Sequence, residues 1–349
     1  MRTLTYITLA LLLLAFSTQA QNKVVLESNG ETTVFGGTNA FTDAYNAATD
    51  GDVIYLPGQQ FSAPTFNKSV AIYGTGIHPD ATIATDQTKL SGNVTIAAGA
   101  SDSHFEGIYF TGNVSFSNAK IDNLSIKRCF IDGNLNLSGE TDNPSENVII
   151  SESIIAGTFS GNNTKNLIVS NCIIKSPNYN LFRNLSNNAW VRNNIIVGQG
   201  YVTPTYAYRY MILDVTETLF ENNIFYNYNN PVYTFSNVSN NTFVNNVFRN
   251  NPTGDETNTW SGNYTDVEMP GIFKSYLDNT FSFDEDHGLV NPDVFVGTTS
   301  NQVGIHGGLE PVKENYLPSI PQITAKDIAT STNEEGKLQV DITVEAQDN

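Results

Sequence analysis

The sequence predicts an all-β fold, a single-stranded right-handed parallel β-helix: a solenoid of stacked coils with a short N-terminal capping helix. Three observations carry that expectation. One strand motif recurs with a variable period in the twenties, a second motif interleaves with it in fixed phase, and charged residues make up only 15% of the chain. Asn, Ser, Thr and Gly fill the gap, a mix that favours turns and strands over helices.

The first motif is an apolar strand, two polar residues, a small or amide anchor, then two apolar residues. It reads Leu124-Ser-Ile-Lys-Arg-Cys129-Phe-Ile131 and returns with anchors at Ser153, Cys172, Asn194, Asn223 and Asn246, spaced 24, 19, 22, 29 and 23 residues apart. Phe105-Glu-Gly-Ile108-Tyr-Phe110 is an earlier copy. The second motif reads Gly92-Asn-Val, Gly112-Asn-Val and Gly133-Asn-Leu, at spacings of 20 and 21. Two phase-locked motifs with tolerated insertions describe a solenoid. One coil cannot bury its own inward residues, so coils stack about 4.8 Å apart and share a continuous core.

This geometry makes further assignments. The chain bends at the anchor, where Asn tolerates a left-handed backbone and can hydrogen-bond its equivalent in the next coil. Cys129 and Cys172 share that column two coils apart, roughly 9.6 Å, beyond the about 7 Å a disulfide spans. They are expected to be buried free thiols. Only one of the two apolar residues after each anchor can face inward. Ile131, Ile155, Ile174, Ile196, Phe225 and Phe248 are assigned to the core. Phe130, Ile154, Ile173, Ile195, Ile224 and Val247 then form an outward apolar stripe, to be covered by long turns or by the C-terminal segment.

The ends are read from local pattern. Residues 1–20 form a signal peptide, with Arg2, the apolar run Ile7 to Phe16 and small residues to Ala20. Residues 21–310 make the solenoid, opened by an amphipathic helix at about 38–49 in which Phe41, Ala44, Tyr45 and Ala48 share a face. Residues 311–349 are a linker and a short β segment, a strand pair expected to lie on the barrel.

The stretch "AATDGDVIYLPGQQF" followed by "NKSVAIYGTG" resembles the N-terminal cap of exported bacterial proteins of the pectate-lyase-like, right-handed parallel β-helix superfamily. Glu268 to Phe273, Phe281 to Phe283 and Gln302 to Gly308 resemble their closing coil. The resemblance spans about residues 24–310 and implies fold more than activity, because this fold hosts many functions. The enzymes of that superfamily are mostly polysaccharide lyases and hydrolases. The hydrolase signatures Asn-Thr-Asp, Asp-Asp, Gly-His-Gly and Arg-Ile-Lys do not occur in the sequence. A lyase needs a base and carboxylates that neutralise a uronate. Among Lys127, Arg128, Arg183, Arg192, Arg209 and Arg249, Arg183 and Arg209 stand on longer turns and are the catalytic candidates. The other basic residues are read as surface solubility residues.

The longest coil carries Tyr201, Tyr206, Tyr208 and Tyr210, a candidate sugar-binding platform, with core or stripe packing as the plainer explanation. His78, His104, His287 and His306 are scattered and show no zinc-type spacing. No cofactor or metal is indicated, and calcium on clustered acids such as Asp284 to Asp286 has no specific signal. Without Arg2 the net charge falls from −18 to −19. That surface repels nucleic acid and anionic lipid, and no mature segment suits a membrane span. Extracellular polysaccharide is the partner this composition leaves open, and no residue pattern sets the oligomeric state. The functional expectation is a secreted or cell-surface, non-catalytic β-helix that binds glycan or serves structurally. The alternatives are a lyase on a uronate-containing glycan, and an assembly module acting through the outer stripe.

Overall fold

The computed structural model describes residues 23–345 except 177–180, 199–209, 228–234, 253–254, 270, 277, 279 and 314. The expected signal peptide, residues 1–20, lies outside the described residues. The chain forms a right-handed parallel β-helix with three sheets running its length, of 12, 9 and 7 strands. Each coil contributes one short strand to each sheet in turn. In the coil of Cys129 these are Ser125–Lys127, Phe130–Ile131 and Leu135–Asn136, whose equivalents one coil on are Ile149–Ser151, Ile154–Ile155 and Phe159–Ser160.

The strands are short because the cross-section turns at three corners, and each corner is held by side chains that repeat with the coil. At the corner between the first and second sheets, the left-handed residue is the one before the anchor rather than the anchor itself. Arg128, Glu152, Asn171, Asn193, Asn222 and Asn245 all have φ between 48° and 57°. The anchor turns inward instead. Cys172 N–H donates to Asn194 Oδ1 at 2.8 Å, and Asn194, Asn223 and Asn246 N–H donate in turn to Asn223, Asn246 and Asn263 Oδ1, each at 2.9 Å. The ladder thus runs one rung beyond the last motif copy. At the next corner Asn113 and Asn134 N–H bond Asn93 and Asn113 Oδ1. There the preceding glycines are required: a Cβ on Gly157 would stand 2.4 Å from the carbonyl oxygen of Gly133.

The inward residues fall where alternation puts them. Ile131, Ile155, Ile174, Ile196, Phe225 and Phe248 belong to one continuous core with the inward residues of the other sheets. Cys129 and Cys172 are free and fully buried. Burial pushes both thiols well up, Cys172 to about 12. At the N-terminal end the helix spans Ala40–Ala47 and buries Phe41, Ala44 and Tyr45. An antiparallel pair, Lys23–Ser28 with Glu31–Gly36, precedes it and caps the first sheet. Val24 and Leu26 of its first strand alternate into the core.

The C-terminal part departs from expectation. Residues 264–319 do not close the solenoid with a coil. They run back over the outside of the second sheet as a strap, from Tyr264 beside Val247 to Ser319 beside Glu106. The strap covers the outward stripe: Phe130, Ile154, Ile173, Ile195, Ile224 and Val247 form a second buried cluster with Met269, Ile272, Phe273, Leu289, Val303, Ile305, Val312 and Tyr316. Assembly through that stripe loses its basis. Beyond the strap, Gln322–Ile328 and Val340–Glu345 pair with each other as a hairpin. Rather than lying on the barrel, it is exposed along nearly all its length.

Candidate functional site

Three places concentrate polar chemistry. The first is the third sheet, where Phe182–Arg183 sits between Phe159–Ser160 and Ile212–Thr216. Outward residues of neighbouring coils here are Ser115, Asn136 and Ser160, with Asn136 Nδ2 donating to Ser115 Oγ at 3.5 Å. Arg183 points out beside Ser160 and Leu213. Its Nε is buried without a hydrogen-bond partner, and among the described residues it makes no ion pair. The nearest carboxylate along the sheet is Asp214, which follows its register partner Leu213. Tyr201, Tyr206, Tyr208 and Arg209 lie outside the described residues. Tyr210 is half-buried at the start of the next coil.

The second place is the interface of solenoid and strap, where sequence reasoning missed two buried charge groups. Arg128, assigned to the surface by its spacing, is only 2% exposed. Its left-handed backbone swings the side chain under the strap, where Nε donates to Glu152 at 2.8 Å and Nη1 to Glu106 and the Leu317 carbonyl, both at 3.3 Å. Ser319 donates to Glu106 from N–H and hydroxyl, at 2.9 and 2.8 Å. Burial alone would raise the Glu106 carboxyl; the hydrogen bonds from His104 and Ser319 outweigh it and hold it below its usual range.

Farther along, Lys175 and Glu285 form a fully buried ion pair, with Nζ 2.6 Å from Oε2 and 4.3 Å from the centre of the Tyr276 ring. Lys175 was hidden from sequence inspection because it follows two Ile residues at the end of a strand. Above it lies a cavity of about 250 Å³ lined by His78, His287, His306, Phe281, Phe283 and Asp284 among others. His287 is buried, and that burial pushes it down to about 4, so the imidazole is neutral. Its Nε2 has no hydrogen-bond partner. Three of the four histidines meet this cavity, from segments 78, 287 and 306 that no linear spacing connects. Still, no three His, Cys, Asp or Glu side chains among the described residues are arranged to hold a metal ion.

The third place is the outer face of the first sheet, which the strap leaves open. Register stacks Ile149, Ile168, Trp190 and Leu219 in one outward column, and Ser151, Ser170, Arg192 and Glu221 in the next. Trp190 is 46% exposed and Ile149 39%. The Arg192 guanidinium lies 5.7 Å from the Trp190 ring centre. A large ring this exposed in the middle of a solenoid face has no packing role to explain it, and it was passed over in sequence because it sits inside a strand motif.

A family model described as periplasmic copper-binding protein (NosD) matches residues 46–271. Comparison with curated proteins and with solved structures finds no match in either. The matched stretch is more than half of the chain and runs from the capping helix through the last rung of the ladder, Asn263. Its stacked parallel strands and its repeat are those of the matched model's fold: the chain belongs to the NosD family of periplasmic parallel β-helix proteins.

Proposed function

We propose that this chain is an exported, non-catalytic β-helix that binds extracellular or envelope glycan on the open face of its first sheet. The observation that carries the reading is Trp190, an exposed aromatic ring with a guanidinium beside it, in an outward column with Ile149, Ile168 and Leu219 and next to a polar column of Ser151, Ser170, Arg192 and Glu221. An aromatic ring with a polar edge suits the apolar face and hydroxyl rim of a sugar. A periplasmic family and an N-terminal export pattern agree with a site outside the cytoplasm. The cap's resemblance to pectate-lyase-like proteins agrees with a glycan partner, and among the described residues no ion pair joins Arg183 to a carboxylate.

The copper in the family description is not carried over. Both thiols lie in the core, raised by burial and donating to main-chain carbonyls of Lys127 and Ser170. Met211 and Met269 are buried on separate elements. Among the described residues the histidines and acids form no three-donor set. The donors present do not fit the ion, and no step is derived through it.

The test is retention of the mature protein on a panel of insoluble polysaccharides, with absorbance of unsaturated uronide followed in parallel. Retention that falls when Trp190 becomes Ala, with no absorbance gain, is expected. Release of unsaturated uronide would replace this reading with the lyase.

A further inference from the structure

We propose that the cleft beside Trp190 selects a neutral, hydroxyl-rich pyranose over a uronate, which makes Asn193, Arg192, Glu221 and Glu310 its specificity residues. This rests on the glycan-binding reading and adds the class of sugar and the groups that choose it.

The cleft, about 150 Å³, opens where the first sheet's outer face meets the edge of the strap, and is lined by Ser170, Arg192, Asn193, Glu221, Thr299 and Glu310 among others. Arg192 joins it to Trp190, since the two stand on one strand face with the guanidinium near the ring. Trp190 does not itself line the cleft; a flat ring one residue pair along the strand from a polar slot offers a pyranose a stacking face and hydrogen-bond partners.

The polar wall is set by the left-handed column. Asn171 and Asn222, on either side of Asn193, spend their amides on the strap. Asn171 Nδ2 donates to the carbonyls of Ile305 and Gly307, and Asn222 Oδ1 accepts from Thr298 N–H and hydroxyl. Asn193 is equally buried, at 5% exposed, and its Oδ1 has no hydrogen-bond partner and almost no exposed surface, so a ligand hydroxyl meets it only when the amide turns into the cleft. A buried acceptor left open costs free energy unless something donates to it. Gly308 backs onto this amide so closely that a Cβ there would lie 2.3 Å from Asn193 Nδ2, so the strap approaches without filling the slot.

The charges decide the class. Asn193 Oδ1, Glu221 and Glu310 only accept hydrogen bonds, so a partner must donate. Ring hydroxyls do, in neutral sugars and uronates alike; what a uronate adds is a carboxylate that cannot donate and carries charge. Arg192 is the one cation of the lining against two carboxylates, on a chain of net charge −18. A uronate brought here meets repulsion that the single guanidinium does not cancel.

The chain has only two tryptophans, Trp190 and Trp260. Trp260→Phe therefore makes fluorescence report Trp190 alone. The mature protein carrying that change is titrated with hexasaccharides of glucose, mannose, galactose and xylose, and with hexagalacturonate. At least one neutral hexasaccharide is expected to shift the emission, and hexagalacturonate to bind at least roughly tenfold more weakly. Asn193→Gly keeps the left-handed backbone, removes the acceptor, and should weaken neutral binding roughly threefold to tenfold. Glu221→Gln should narrow the gap between neutral and acidic sugars. Equal or tighter binding of hexagalacturonate would overturn the class while leaving glycan binding in place. Retention on polysaccharide with no Trp190 response would overturn the site. Failure to be retained on any polysaccharide would remove the reading on which both rest.

Discussion

Asn223→Ala tests the ladder at its most connected rung. The wild-type side chain makes four buried hydrogen bonds. Oδ1 accepts from Asn194 N–H and Nδ2, both at 2.9 Å, while Nδ2 donates to the Val191 carbonyl at 2.7 Å and to Asn246 Oδ1 at 2.9 Å. Alanine removes all four. Asn246 Oδ1 keeps the Asn223 main-chain N–H as a donor. The Asn194 N–H is left with nothing, and Asn194 is fully buried; the Val191 carbonyl loses the amide but sits within the strand ladder. A buried polar group without a partner costs about 1–3 kcal/mol, so a loss of about 1–3 kcal/mol is predicted. Serine is the informative control, because the column already contains one: Ser153 Oγ accepts from Cys129 N–H at 3.1 Å and donates to the Ser151 carbonyl at 2.7 Å. Asn223→Ser should therefore re-satisfy the Asn194 N–H and recover most of the loss. Urea unfolding gives the stability change. Amide hydrogen exchange at Asn194 shows whether the damage is local, as expected where each coil contacts only its neighbours. A Cm for Asn223→Ala indistinguishable from wild type, or serine as damaging as alanine, would refute the reasoning.

Other expectations follow from the buried groups. His287 is held neutral, down to about 4, so between that value and about 6.5 the unfolded chain binds the extra proton and stability must fall as pH falls through that window, by about 3 kcal/mol at most. Urea midpoints from pH 7.5 to 4.5 should show this slope, and His287→Gln should flatten it. Lys175→Met takes the lysine ammonium from the buried Glu285 carboxylate and should cost about 3–5 kcal/mol, with the strap becoming protease-sensitive. Adding Glu285→Leu should restore much of the loss. Alkylation of the denatured, unreduced protein should add two adducts while the native protein adds none; absence of adducts after denaturation would contradict the free, buried thiols of Cys129 and Cys172.

The solenoid was legible because its determinants are local and repeated. Anchor, strand and Gly-Asn corner recur in phase, so each copy corroborates the others, and alternation then sorts Ile131 inward and Phe130 outward. What the repeat could not carry was anything made once. The strap contains no period, and its contacts reach far back along the sequence, from Ser319 to Glu106 and from Ile305 to Asn171. A closing coil was the natural expectation for such residues, and only the outward stripe's need of a cover hinted otherwise. Arg128 was misread, and Lys175 passed over, for a related reason. Their charge said surface, whereas their carboxylate partners come from other coils or from the strap. Trp190 was hidden differently: a motif that explains a position as strand says nothing about which face remains uncovered.

These omissions meet at one corner. The left-handed turn that lets a coil change direction also points an outward side chain at whatever lies over the second sheet. In six successive coils that position holds Arg128, Glu152, Asn171, Asn193, Asn222 and Asn245. Four of them are engaged by strap residues: Arg128 with Leu317, Asn171 with Ile305 and Gly307, Asn222 with Thr298, and Asn245 with Thr298. Glu152 is bound by Arg128 and Lys127. The column thus has a structural task, covering a stripe that a two-apolar motif cannot avoid exposing, and it needs polar heads long enough to reach main-chain groups of the strap. Asn193 shares the backbone and the burial of its neighbours, yet its carbonyl oxygen meets no donor. The strap passes near it at Gly308, a position where any larger residue would collide with the amide. A strap built only to cover would have donated to Asn193 as it does to Asn222. That it instead leaves a polar slot there, next to the exposed Trp190, is the physical ground for placing recognition at this coil rather than elsewhere along the face.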